Sequence, residues 1–417
     1  MIIQKPKGTL DILPKIAFKR QYLEKVIRNV FSLYNYKEVK TPTFEKTELF
    51  KRSIGEETDI VSKEMYSFEN DKYTLKPEMT APVVRAYLEN SLYNISPLQK
   101  LFYIDRMYRH ENPQAGRYRE FTQFGAEAIG SESYTIDVEM ITLGIHILNE
   151  FSLKNVKVKI NNIGDLSERV QFIDSFRKFL ENYRNKLSKD SIKRIDTNPL
   201  RILDSKIPED IEILDKAPVL FNYLTEDSKS HFKKVQDGLK NNGIDFLIDH
   251  KLVRGLDYYS STTFEIISED LGAQNAIFGG GRYDKLIENL GGKPTPAIGF
   301  AAGLERLIMV LEKSNFPFPD EKPVDIYIVL AGENVIEFVS SFMYSLRNAG
   351  LSCESDFLQR SVKSQMKEAD KLKAEFVIVI GENEISSQKA KLKNMKSGDE
   401  TEIILNDILT IKKTILK

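Results

Sequence analysis

Cysteine occurs once, at Cys353, which excludes an intramolecular disulfide and any multi-cysteine metal site and fits a reducing compartment. Its expected role is that of a small apolar residue. Histidine is almost as scarce: His110, His146, His231 and His250 stand far apart without ligand spacing, so no protein zinc site is expected. In an extended segment His110 falls on the face opposite Arg109 and is expected to be packed and hydrogen-bonded. No window approaches the roughly 18 consecutive apolar residues of a membrane span. The opening MIIQKPKGTLDILP has no apolar signal region, so a cytoplasmic protein is expected. Charge of one sign is also missing. The 60 basic and 61 acidic residues give a net charge of -1, so a polyanionic partner must be met by local patches.

What is present suits a soluble globular chain of two or three domains: 417 residues, 41% hydrophobic and 29% charged. The stretch Leu101 to Gly130 reads as a hairpin, with strand-like segments at 101–111 and 119–130 and a polar turn at Asn112 to Gly116. Alternation puts Arg109 and Glu111 on one face, and Gln123, Gly125 and Glu127 on one face of the return strand. If the two faces coincide, the sheet carries charge that is costly to bury without a ligand; a solvated face is the alternative.

Around the hairpin, the spacing predicts a helix over 16–34 and a strand over Tyr36 to Phe44 that Pro42 confines to an edge. A polar loop over 53–63 and two short strands in 65–75, turning at Asn70 and Asp71, come next. A helix follows from Ala81, with Glu78 and Thr80 at its start, where capping is the simplest role for either. After a helix over 134–151 and a strand over 156–160, residues 165–245 read as an inserted helical domain broken by Pro199, Pro208 and Pro218. Strand signals return at 252–267 and, after Gly272, at 276–284, where Gly279, Gly280 and Gly281 imply a close backbone approach or simply a loop. A short strand at 297–301 and a helix from Leu304 follow, and Arg306 in the first helical turn opposes the helix dipole unless an anion is expected there.

Beyond the proline-bearing linker at 317–323, apolar strands at 324–330 and 376–380 alternate with helices at 335–349 and 361–372, a separate small α/β domain. On its second helix, Arg360, Lys363, Lys367 and Lys371 share a stripe of roughly 80° at 100° per residue. Such a ridge could follow a phosphate backbone or be a solvated face. The expected fold class is α/β: an α+β core with a mixed, largely antiparallel sheet flanked by helices (1–164 and 246–316), the helical insert at 165–245, and the C-terminal domain at 324–417.

Arg109, Arg254 and Arg306 on three elements, with Glu78, Glu111 and Glu127 and Tyr258, Tyr259 and Tyr283, picture a nucleotide site beside a small amine-bearing substrate. Neither a Walker loop nor a strand-to-helix G-x-G-x-x-G is present, which leaves the phosphates to arginine.

These residues lie in blocks that resemble the class II aminoacyl-tRNA synthetases, and specifically the histidyl-tRNA synthetases. Residues 106–127 resemble motif 2, Val39 to Phe44 motif 1, and GFAAGLERL from Gly299 motif 3. LVRGLDYY from Leu252 and GGGRYD from Gly279 look like the histidine-specific peptides, and TLKPEMTA from Thr74 is another family block. The resemblance implies activation of L-histidine with ATP and Mg²⁺ to an adenylate, then transfer to the 3′ end of tRNA(His), by a homodimer with an anticodon-binding C-terminal domain. It implies Arg109 on the α-phosphate, Arg306 on the outer phosphates and Arg254 stabilising the α-phosphate as charge develops. Glu78, Thr80 and Gln123 would hold the amino group, Glu127 and Tyr259 read the imidazole, and Tyr258 and Tyr283 wall the pocket. Glu111 is the candidate for ATP or Mg²⁺ contact, and Gln114, Arg117 and Arg119 face the tRNA acceptor end. Two departures stand out: Lys76 where arginine is frequent, and Ser260 and Ser261 after the paired tyrosines where bulkier residues are usual. The competing readings are a regulatory subunit of ATP phosphoribosyltransferase on the same core, which lacks the C-terminal domain, and a carboxylate-activating ligase that does not use tRNA.

Overall fold

A computed structural model describes residues 2–55, 58–114, 116–269 and 276–416. Gly272, Ala115 of the expected hairpin turn, and Glu56 and Glu57 of the expected polar loop lie outside them. The chain divides into two compact units, 1–318 and 319–417.

In chain order, the first unit starts with α1 (Pro14–Leu33), β1 (Lys37–Glu38), β2 (Phe44–Lys46), α2 (Thr47–Ile54), β3 (Tyr66–Phe68), β4 (Tyr73–Leu75) and α3 (Thr80–Glu89). The hairpin β5 (Gln99–Tyr108) and β6 (Glu120–Ile129), then α4 (Tyr134–Glu150) and β7 (Val156–Asn162), lead to the insert helices α5 (Leu166–Glu181), α6 (Lys189–Thr197), α7 (Pro208–Leu214) and α8 (Glu226–Asn241). β8 (Phe246–Ile248), β9 (Ser260–Ser268), β10 (Ala276–Arg282), α9 (Leu286–Asn289), β11 (Ala297–Gly303) and α10 (Leu304–Lys313) complete it.

Eight strands form one sheet in the order β1-β5-β6-β11-β10-β9-β7-β8. Only the outer pairs β1/β5 and β7/β8 are parallel, so the sheet is mixed and largely antiparallel. Strand alternation divides the core in two. Phe102, Ile104, Phe124 and Ala126 face a layer built by α1 and α4, with Phe31 stacked on Phe102 at a centroid distance of 4.5 Å. Leu101, Tyr103, Met107 and Ile129 face the other way, toward α3, the tyrosines after Arg254, and the insert. Two-sided burial explains the continuous apolar run Leu101 to Ile104 at the centre of β5.

Several sequence expectations change. The strand expected over 36–44 is split: only Lys37–Glu38 pairs with the large sheet, at its edge, and Phe44 starts a strand of a separate three-stranded sheet. Proline 42 lies in the break, since it has no N–H to offer a ladder. The strand expected from 252 begins only at Ser260. The three glycines lie within β10 rather than in a loop. His110 is exposed, its ring edge-on to Tyr66, rather than buried. The turn at Glu69, Asn70 and Asp71 does form, with φ of 51°, 55° and 61°, a left-handed run that Asn and Asp tolerate best.

The second unit contains β12 (Ile326–Leu330), α11 (Ile336–Asn348), β13 (Cys353–Ser355), α12 (Val362–Lys371), β14 (Phe376–Ile380), α13 (Glu382–Ser387), β15 (Lys389–Asn394), β16 (Glu400–Ile404) and α14 (Ile408–Ile415). Its sheet runs β13-β12-β14-β15-β16, with the first three strands parallel. Cys353 is buried in this core, where burial raises its thiol pKa, consistent with an inert packing role.

Candidate active site

The register of the hairpin settles whether its polar faces coincide. Leu101 pairs with Glu127, Tyr103 with Gly125 and Asp105 with Gln123. The Arg109 N–H donates to the Arg119 carbonyl at 3.0 Å, continuing the ladder. Directly paired residues project to the same side, so Arg109, Gln123 and Glu127 share one face.

That face floors a cavity of about 280 Å³. Glu78, Thr80, Arg109, Glu111, Arg117, Gln123, Arg254, Tyr258, Tyr259 and Arg306 all line it. α3, β6, α10 and the loops that follow β5 and precede β9 thus deliver residues far apart in sequence to one space. Glu127 and Tyr283 do not line it but lie beneath, at 0% and 1% exposure. Gln114 and Arg119 are outside the lining as well: Gln114 forms a bridge with Arg117, and Arg119 Nε donates to the Glu111 carbonyl at 3.2 Å.

One end of the cavity is tightly partnered. The Glu78 carboxylate accepts the N–H groups of Thr80 and Ala81 at 2.8 and 2.9 Å, capping α3, and the Tyr258 hydroxyl donates to it at 3.4 Å. Burial raises its pKa against the pull of those two N–H bonds. Glu127 accepts from the Thr80 hydroxyl at 2.8 Å and from the Tyr283 hydroxyl at 2.6 Å. Burial pushes its pKa up to about 8, the Tyr283 and Thr80 bonds offsetting only part. Gly299 on the neighbouring strand must be glycine, because a Cβ there would overlap the Glu127 carboxylate. Tyr258 packs against Tyr259 and Tyr283 at centroid distances of 4.7 and 5.7 Å.

At the other end positive charge accumulates. Arg109 donates through Nε to the Pro77 carbonyl at 2.8 Å and lies over the Phe121 ring at 5.3 Å. Its guanidinium is 3.7 Å from Glu111, which is 3.2 Å from Arg117. Arg306, in the first turn of α10, donates to the Ala276 carbonyl at 2.7 Å. Its pKa is lowered by burial and then by repulsion from Arg117 and Arg109, with Glu111 offsetting. Glu305 does not relieve that charge, because it faces Arg20 at 2.6 Å and the Thr122 N–H at 3.0 Å. Two polar atoms here, Gln123 Oε1 and Arg254 Nε, are buried without a hydrogen-bond partner among the described residues. An orphaned buried acceptor and donor on two residues that line one cavity point to a polar ligand.

Sequence reasoning missed Phe121, Tyr118, Glu265 and Glu305, all of which line the cavity. Phe121 was within reach, since alternation puts it on the Gln123 face; Glu265 had no signal, because nothing in its strand indicates which edge meets Arg254. The two departures have structural accounts. Lys76 is 1% exposed, with its ammonium 2.7 Å from Asp105 and 3.2 Å from the Thr41 carbonyl. The Ser260 hydroxyl accepts the Asp284 N–H at 3.2 Å, and Ser261 takes a left-handed φ of 47°.

In the second unit the basic ridge is incomplete. Arg360 precedes the Ser361 N-cap of α12, with Nε 2.5 Å from Asp356 and Nη1 3.2 Å from Glu368. It braces a loop. Lys371 is 3.7 Å from Glu368, while Lys363 and Lys367 are exposed on the helix.

Among the described residues no helix is long and apolar enough to cross a membrane, and no group of three or more His, Cys, Asp or Glu could hold a metal ion. The family model described as histidyl-tRNA synthetase matches residues 8–307, and one described as anticodon binding domain matches 325–414. A histidine--tRNA ligase of Halothermothrix orenii is 47% identical over 412 residues, 98% of each chain. One of Streptococcus pyogenes is 45% identical, covering 98% of this chain and 97% of its own. The solved apo histidyl-tRNA synthetase of S. aureus superposes with a TM-score of 0.83 at 36% identity, covering 98% of this chain and 99% of that one. The partnered pocket, the arginine cluster beside it and this full-length likeness agree: the chain belongs to the histidyl-tRNA synthetase family.

Proposed function

We propose that this chain is a histidine–tRNA ligase. L-Histidine and ATP give histidyl-adenylate and pyrophosphate; the terminal ribose of tRNA(His) then takes the histidyl group and AMP leaves. The observation that carries the reading is the convergence of Arg109, Arg254 and Arg306 on a cavity whose other end is a closed set of hydroxyl and carboxylate groups.

In the first step the substrate carboxylate attacks the α-phosphorus as the bond to pyrophosphate breaks, so no protein nucleophile is needed. The chain supplies alignment and charge, which together are worth several kcal/mol (roughly 3 or more each). Arg109 grips the α-phosphate, Arg306 the outer phosphates, and Arg254 meets the charge that develops on the α-phosphate oxygens. Glu78, Thr80 and Gln123 hold the amino group, and the unpaired Gln123 Oε1 is a ready acceptor for it. Tyr259 meets the imidazole, which offers one donor and one acceptor, and Glu127 takes part from beneath the lining through the Thr80 hydroxyl that it holds. Tyr258 forms the wall and Tyr283 lies behind it, and the two hold the carboxylates of Glu78 and Glu127. Mg²⁺ accompanies ATP, bound mainly by phosphate and water in the manner usual for that ion. Glu111, which faces Arg117 and Arg109, would be the protein carboxylate nearest that ion, and no step is assigned to it. Gln114, Arg117 and Arg119 face the tRNA acceptor end, and Lys363 and Lys367 of the second unit meet its anticodon arm. A cytoplasmic homodimer is part of the reading, supported by the single buried cysteine and by the β1 edge.

The regulatory-subunit alternative is weakened by the retained anticodon-binding match at 325–414 and by the intact arginines. Pyrophosphate exchange with each amino acid, followed by charging of tRNA(His), tests the proposal. Histidine-dependent exchange and charging are expected; no exchange with histidine, or exchange driven by another amino acid, would overturn it.

A further inference from the structure

Arg254 lies in the stretch 252–259, ahead of β9, and has no regular secondary structure of its own to orient it. A long flexible side chain there would lose much of its rotamer entropy on meeting a phosphate. The structure removes that freedom in three ways. Its Nη1 forms an ion pair with Glu265 of β9. Its guanidinium carbon is 5.8 Å from the centre of the Tyr259 ring. It also lies against Gly279 in β10, the residue paired with Glu265, so closely that a Cβ on Gly279 would overlap the guanidinium. Meanwhile Nε, buried in the same cavity, has no partner among the described residues. Three restraints and one orphaned donor describe a guanidinium held ready with a hydrogen bond to give.

We propose that Glu265 and Gly279 are positioning residues that hold Arg254 in the orientation in which it meets the α-phosphate oxygens during histidine activation. The carboxylate fixes one edge of the fork, and the glycine leaves the space that the guanidinium fills. Arg254 is thereby preorganised before ATP enters, which is where electrostatic stabilisation of a transition state derives its advantage. The inference rests on the role of Arg254 proposed above and extends it to the two residues that hold its guanidinium. The three atoms nearest a Cβ on Gly279 all belong to Arg254, and Glu265, which lines the cavity, forms its ion pair with the same arginine.

The test is a double-mutant cycle on the full-length chain, read by pyrophosphate exchange and by calorimetric binding of histidine. Arg254→Ala is expected to slow exchange by about 10²- to 10³-fold. Glu265→Ala is expected to lower kcat by about 10- to 100-fold, with histidine affinity and ATP KM within about threefold, and Glu265→Gln to recover part of the loss by keeping an acceptor. In the Arg254→Ala background, removal of Glu265 should cost nothing further, because it acts only through the missing arginine. Gly279→Ala should resemble Arg254→Ala, with an unfolding temperature near that of the parent for all variants. Equal losses from Glu265→Ala in both backgrounds, faster exchange in the single variant, or a changed Mg²⁺ requirement that persists without Arg254 would each overturn the proposal. An Arg254→Ala variant with unchanged exchange would instead remove Arg254 from the mechanism, a separate failure.

Discussion

The two ends of the cavity are built on opposite plans. At the end holding Glu78, Thr80, Glu127 and Tyr283, each carboxylate has at least two donors and the side chains are almost wholly buried. At the arginine end, Arg109, Arg254 and Arg306 gather positive charge around Glu111, and Arg254 Nε has no hydrogen-bond partner among the described residues. A closed network discriminates, since a substrate lacking the right donor leaves buried groups unpaired. An unbalanced charge cluster accelerates, since it is complementary to charge that appears only during reaction.

The contrast is sharpest in Arg254→Ala, which is expected to slow pyrophosphate exchange about 10²- to 10³-fold while histidine binding stays within about threefold. Titration calorimetry beside exchange kinetics separates the two quantities, and a proportional loss of both would erase the distinction between the ends. Glu127→Ala is expected to do the reverse: histidine affinity falls by about 10- to 100-fold, and the unpaired Thr80 and Tyr283 hydroxyls cost stability, about 1–3 kcal/mol. Denaturant unfolding and competitive activation assays with other amino acids would check it.

A smaller effect concerns pH. The Glu127 carboxyl holds its proton to about pH 8 in the fold, whereas in an unfolded chain it is released near pH 4.3. Between those values the native state binds more protons, so this contribution to stability is full below the lower value and declines as pH rises through the higher one. The unfolding temperature of Glu127→Gln should therefore fall less than that of the parent between pH 6 and 9. Equal slopes would mean that the carboxyl is ionised in the fold.

The smallest change is expected from Lys363→Ala with Lys367→Ala. Charging of tRNA should weaken a few-fold and its salt dependence should drop by about 1.4–1.8 in log–log slope for the two lysines, with exchange untouched. Arg360→Ala should instead loosen the loop that Asp356 and Glu368 hold, seen as lower thermal stability rather than a changed salt slope.

Much of this organisation could be read from the chain in one dimension. The hairpin and the division into an α+β core and a terminal α/β unit follow from local periodicity, because strand and helix periods are written residue by residue. Gln123 and Glu127 were on a common face once the hairpin was assumed, since two-residue alternation is a property of the strand itself, whereas the register that brings Arg109 onto that face came from the structure. The strand over 252–259 was not there, because its aromatic, β-favouring residues line a cavity instead of pairing in a sheet. Arg360 was placed on a helix it precedes, because angular spacing does not reveal where an N-cap such as Ser361 begins the helix or which carboxylates fold back on it.

By itself the sequence determined the elements, the residue types gathered for phosphate and amine chemistry, and the family. Only the tertiary structure decided that Glu127 lies beneath the cavity and holds its proton, that Lys76 and Asp105 neutralise each other, and that Glu265 and Gly279 confine Arg254. The physical reason is that burial, desolvation and ion pairing depend on what surrounds a group in three dimensions, and those neighbours come from strands and helices far apart along the chain.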